Sequence, residues 1–129
     1  MNHKISTKKK HSYSALLASI ETIRLKNRDI GLMGVIVFLY ICENEGMSVK
    51  ELAYHCGASD ASISRSIQAL RLPTSRSGKA SHNGLVHVFQ NPDDGRRHLV
   101  FLTEHGQRLR DEIGALLTAQ SNVAQSTNA

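Results

Sequence analysis

Ser62, Arg65 and Gln68 recur at intervals of three residues, the spacing that sets side chains on one side of an α-helix. Arginine and glutamine carry paired donors and acceptors that match the major-groove edges of guanine and adenine, and small neighbours such as Ala61 and Ala69 let a helix approach those edges. Ile63, Ile67 and Leu70 fall in a narrow stripe on the other side. One helix would thus bury an apolar face and present a small, polar, singly basic one. A face meant only for water usually carries Glu and Lys in quantity; this one has neither.

Catalytic chemistry finds less support. No Ser-His-Asp set, paired carboxylate or phosphate-cradling glycine motif occurs at usable spacing, which points away from an enzyme. His82, His87, His98 and His105 gather in one later segment, and His87 and His98 could face each other across a hairpin. No two of them have the tight spacing of a ligand pair, so surface histidine without metal or other cofactor is the simpler expectation. Cys42 lies in an apolar segment where a thiol is usually buried and inert. Cys42 and Cys56 are also too few for a secreted disulfide scaffold.

The polar helix needs a scaffold, and the flanking sequence supplies one. Residues 1–11, with four lysines and two histidines, read as a disordered basic tail. Leu16, Leu17, Ile20 and Ile23 then recur at helical spacing, and Asp29 can cap a second helix that is apolar nearly all round from Leu32 to Ile41. Ser48 followed by Glu51 has the form of a capping box, Gly57 stops the helix it opens, and Ser59 caps the polar helix from Asp60 to about Arg71. Two short helices across a Gly-containing turn make a helix-turn-helix. Residues 72–84 have loop composition. Strands over 85–90 and 98–102 follow, joined by a polar, basic tip at 91–97. Thr103 can cap a last helix with Leu109, Ile113, Leu116 and Leu117 on one side, and residues 120–129 read as a second disordered tail. The expectation is a single domain over 12–119, mainly α with a small β-hairpin.

Composition agrees with that size and class. A chain of 129 residues with 40% hydrophobic and 21% charged residues is ordinary for one globular domain. Sixteen Lys and Arg against eleven Asp and Glu give a net charge of +5, which favours a polyanionic partner. The apolar run expected of a signal peptide is broken by Glu21, Arg24 and Lys26, and the most apolar stretch, 30–42, is shorter than the roughly twenty residues that span a bilayer. A cytoplasmic protein without membrane partners is expected.

Several segments together resemble the MarR family of transcriptional regulators. They are Ser48-Val49-Lys50-Glu51-Leu52-Ala53, the run from Ser59 to Ile67 ending in Leu70, Gly84-Leu85-Val86, Asp94-Gly95-Arg96, and Leu102-Thr103-Glu104-His105-Gly106. The last two segments keep the family's Asp-x-Arg and Leu-Thr-x-x-Gly at the expected separation, and the resemblance covers about Val35 to Leu117. It implies a winged helix-turn-helix with dimerisation helices at both ends, and a homodimeric, sequence-specific repressor on a pseudo-palindromic site of double-stranded DNA. A winged-helix assembly module of a replication or recombination complex is the alternative. Three departures stand out, the first a short N-terminal helix. Leu70 and Gly84 lie fourteen apart, an insertion before the wing, and only 23 residues follow Gly106.

Residue roles follow. Ser62, Arg65 and Gln68 would lie near base edges with Ser59, Ala61 and Ser64 beside them, and Arg96, carried over from the family motif, would enter the adjacent minor groove. Asp94 can pair with Arg96 and hold the wing tip. Lys50 and Arg97 are candidates for phosphate contacts, as are Arg76 and Lys79 if the insertion is an arm rather than a solvated loop. Leu16, Leu17, Ile20 and Ile23 with Leu109, Ile113, Leu116 and Leu117 exceed what one small core needs and suggest a dimer interface. Neither a small-molecule effector nor the operator can be read from these residues.

Overall fold

The computed structural model describes residues 12–71 and 84–127, with side chains described as far as Ala119. Its elements are α1 (Ser14–Lys26), α2 (Leu32–Glu43), β1 (Met47–Ser48), α3 (Val49–Cys56), α4 (Asp60–Leu70), β2 (Val86–Asn91), β3 (Asp94–Leu102) and α5 (Glu104–Thr127). The three strands form one antiparallel sheet in the order β1-β3-β2. Among the described residues the protein is therefore mainly helical with a small sheet: a winged helix-turn-helix.

Alternation along the sheet explains its place in the core. Met47 and Val88 both pair with Val100, and Val86 pairs with Leu102, so the side chains facing the helices are apolar. Val86, Val100 and Leu102 are buried with Phe38 and Ile41 of α2, Leu52 of α3 and Ile63 of α4. Gly84 and Leu85 stitch the helix-turn-helix to α5. The Leu85 amide donates to the Leu70 carbonyl at 2.7 Å, the Thr103 amide to the Leu85 carbonyl at 3.0 Å, and the Thr103 hydroxyl to the Gly84 carbonyl at 2.8 Å. The two sides of the insertion thus meet, and Arg71 bridges to Val86.

Four features differ from what the sequence predicts. Helix α2 opens at Gly31 without a side-chain cap, because the Ile30 amide closes a turn on Asn27 and carries Asp29 out of capping position. The wing strands run on to Asn91 and from Asp94, leaving a turn of Pro92 and Asp93. Side-chain bonds extend the ladder past its apolar part: the Gln90 amide donates to the Gly95 carbonyl, the Asp93 amide to Asn91 Oδ1 at 2.9 Å, and the Arg96 amide to Asp94 Oδ1 at 3.1 Å. Helix α5 continues to Thr127 in place of the tail expected after Ala119, since residues 120–127 contain no Gly or Pro and extending an existing helix costs little. The basic tail read at 1–11, like 128–129, lies outside the described residues.

Helix α1 shows the fourth difference. Its buried residues are Ala15, Ser19 and Ile23, spaced by four, rather than the leucines. Small residues let it lie close against α5, and the buried Ser19 hydroxyl is satisfied by the Ala15 carbonyl at 2.7 Å. Leu16 and Leu17 point outward, 56% and 64% exposed.

Candidate nucleic-acid interface

The helix-turn-helix is held by local bonds that the sequence announces. The Glu51 amide donates to Ser48 Oγ at 3.1 Å and the Ser48 amide to Glu51 Oε1 at 2.9 Å, closing the capping box. Bonds from the Ser48 amide and hydroxyl, helped by nearby Arg97, hold the Glu51 carboxyl below its usual range. Gly57 ends α3 at a φ of 62°, a left-handed conformation suited to glycine. The Ser62 amide then donates to Ser59 Oγ at 3.1 Å and starts α4.

This framework orients α4 as its periodicity requires. Ile63, Ile67 and Leu70 are buried; Ser59, Ala61, Ser64, Arg65 and Gln68 are exposed, and Ser62 is half-exposed. Gln68 Oε1 accepts from the Arg71 guanidinium at 3.3 Å, and the side-chain amide of Asn27, just past α1, braces the far end of α4 by donating to the Ala69 carbonyl at 3.1 Å.

At the wing the expected Asp94–Arg96 ion pair is replaced by a different arrangement. Asp94 holds Arg96 only through its backbone amide, and its side chain pairs loosely with Arg97 at 4.0 Å. Residues i and i+2 of a strand share a face, but here the carboxylate accepts from the Arg96 backbone amide and has Arg97, at i+3, as its ionic neighbour. Arg96 makes no ion pair among the described residues and is exposed. Lys50 pairs with Asp60 at 3.7 Å, both well exposed, a contact of little strength.

Helices and wing meet at a concavity of about 270 Å³ lined by Ser48, Val49, Lys50, Asp60, Ser64, Arg96, Arg97 and His98. It joins Lys50, Ser64, Arg96 and Arg97, singled out from sequence, with Asp60 and His98, which were not assigned to DNA. The signal for His98 was available: Val100 and Leu102 face the helices, and counting back by two places His98 and Arg96 on the same side of β3. His87 and His98 do not face each other, because His87 pairs with Phe101 and His98 with Gln90. No group of three or more His, Cys, Asp or Glu suited to a metal occurs among the described residues. Arg76 and Lys79 lie outside them.

The proposed dimer residues divide. Ile23, Leu109 and Ile113 are buried within the chain's own core. Ile20 and Leu116 are half-buried, whereas Leu16, Leu17 and Leu117 are exposed. A second concavity of about 390 Å³ lies between α2 and α5, lined by Leu39, Cys42, Glu43, Arg110, Ile113, Gly114 and Leu117. Burial pushes the Cys42 thiol up to about 12, so it stays protonated and a poor nucleophile, and Cys56 is raised for the same reason. Arg110 is engaged by Glu45 at 3.5 Å and Asp111 at 3.1 Å.

No helix among the described residues is long and apolar enough to cross a membrane. No protein-family model and no curated protein matches the sequence. Solved structures match the fold. FabT of Streptococcus pneumoniae in complex with DNA aligns with a TM-score of 0.62 at 14% identity, over 88% of this chain and 74% of that one. MepR of S. aureus, also in complex with DNA, gives 0.60 at 18% identity over 91% and 92%. A MarR transcriptional regulator from Methanosarcina mazei Go1 gives 0.57 at 19% identity over 88% and 76%. The fold is that of the MarR-type winged-helix regulators.

Proposed function

We propose that this chain is a MarR-family transcriptional regulator: a cytoplasmic homodimer that represses by binding a pseudo-palindromic site on double-stranded DNA. The observation that carries the reading is the junction of the exposed α4 face with the wing, where three cations line one concavity and Arg96 stays unpaired among the described residues. Helix α4 enters the major groove with Ser62, Arg65 and Gln68 toward base edges, flanked by Ser59, Ala61 and Ser64. Arg96 enters the neighbouring minor groove, and Lys50 and Arg97 meet phosphates, with Arg76 and Lys79 of the insertion as further phosphate contacts. Two copies are needed because one winged helix reads only a few base pairs, and the exposed Leu16, Leu17 and Leu117 supply an apolar surface for pairing. The bound state of FabT and MepR in their DNA complexes supports the same use of this fold. The chain acts by binding and not as an enzyme.

Selection of bound fragments from random DNA tests the reading. A palindromic consensus bound about a thousandfold or more tighter than random duplex at physiological salt is expected. Uniform binding to all sequences would favour the assembly-module alternative.

A further inference from the structure

The concavity between wing and helices has a place on DNA that follows from groove geometry, and this step rests on the DNA-binding reading. If α4 fills a major groove and Arg96 the adjacent minor groove, the surface between them faces the sugar-phosphate strand that separates the two grooves. That surface is the concavity of about 270 Å³ holding Lys50, Ser64, Arg97 and His98. We propose that it seats one backbone phosphate and that His98 binds this phosphate as an imidazolium, so that DNA binding takes up a proton at each seat.

The surroundings of His98 suit that role. It is exposed on the helix-facing side of β3, two residues before buried Val100. The lining it shares holds Lys50 of α3, Asp60 and Ser64 of α4, and Arg96 and Arg97 of its own strand, while its cross-strand neighbour Gln90 is uncharged. Of the other carboxylates nearby, Glu51 is tied to Ser48 and Asp94 lies beside Arg97 at the tip. The remaining carboxylate, Asp60, holds Lys50 at 3.7 Å, where a phosphate oxygen can take its place. A phosphodiester stays anionic across the neutral range while imidazole changes charge within it, between about pH 5 and 8. A charge-assisted bond to phosphate favours the protonated ring. The bound form therefore titrates higher than the free form: the extra affinity is complete below the free value and is lost as pH rises through the bound one.

A phosphate seat reads no sequence, so a mixed-sequence duplex about three helical turns long is a sufficient probe. Its Kd for the full chain is measured by fluorescence anisotropy from about pH 6 to pH 8 at fixed ionic strength. The wild type should weaken by up to about tenfold per pH unit for each seat engaged. His98→Gln should flatten the profile at the wild-type alkaline value, and His98→Arg should hold the acid affinity at every pH. Lys50→Gln should keep the pH slope and lower the salt slope by about one phosphate per subunit. His55→Gln, altering the imidazole that stacks on Tyr40, should change neither. An unchanged pH slope in His98→Gln, or His98→Arg binding as weakly as His98→Gln, overturns the proposal. Tight binding with no pH slope overturns it alone, whereas no duplex binding at any pH overturns the DNA reading with it.

Discussion

Helix α4 and the helices α1, α2 and α5 bury their apolar residues with very different completeness. On α4 every large apolar side chain is covered, with Ile63 and Leu70 fully buried, and what remains outside is Asp60 at the start followed by Ala, Ser, Arg and Gln. On the other helices Leu16, Leu17, Leu32, Leu39 and Leu117 are between 38% and 76% exposed. Isolated exposed leucines are ordinary, and it is their number on α1, α2 and α5 that supports the proposed pairing surface. The contrast matches the two roles in the proposed function, with α4 as the surface for a hydrated polyanion and the outer helices as the surface for a second copy.

The largest expected effect comes from making the second face resemble the first. Leu17→Glu with Leu117→Glu places carboxylates on residues already exposed in the single chain, so its fold should survive. Buried in a dimer interface, the same groups would cost several kcal/mol. Sedimentation should report a monomer with much weaker operator binding. A double variant that remains dimeric would remove this face from the interface.

Next is the stitch between the two regions. A Cβ on Gly106 would collide with the Leu85 carbonyl oxygen, a backbone atom that itself accepts from the Thr103 amide and cannot swing aside. Gly106→Ala should cost about 3 kcal/mol, seen as a lowered denaturant midpoint. A variant as stable as wild type would mean that α5 and the wing are not held this closely.

How far the sequence revealed each region follows the same division. The faces of α4 were legible because Ser48, Gly57 and Ser59 punctuate it and Ile63, Ile67 and Leu70 agree on one stripe. The face of α1 was not, because periodicity marks Leu16 and Leu17 as apolar without saying whether their own chain or another covers them; the inward positions went to Ala15 and Ser19. Strand ends at the wing depend on side-chain bonds from Gln90, Asn91 and Asp94, which alternation does not encode. The side of β3 that carries His98 follows from alternation with Val100 and Leu102, whereas its place beside Lys50 and Ser64 needed the folded wing.

Effects on the α4 surface should be smaller and divisible. Gln68→Ala should cost about 1 to 3 kcal/mol at one position of the site and relax preference there. Arg96→Ala should weaken binding by a similar amount, most where the minor groove is narrow. Equal losses for both variants on specific and random duplexes would undo the assignment of base reading to α4.

The smallest effect is the sharpest probe of the proposed pairing surface, because it compares two glycines of one helix. Unlike Gly106, Gly114 has nothing within 4 Å of an added Cβ, and it is exposed beside Leu117 at the α2–α5 concavity. Glycine inside a helix costs roughly 0.5–1 kcal/mol relative to alanine, chiefly through backbone freedom in the unfolded chain. Gly114→Ala should therefore stabilise the protein by about that amount, independently of concentration, if the partner copy packs elsewhere along the leucines. Should the gain instead shrink or reverse as concentration rises, the added methyl would be obstructing association, and the bare backbone at Gly114 would be a point where the partner's helix comes closest. Thermal unfolding at dilute and concentrated protein distinguishes the two.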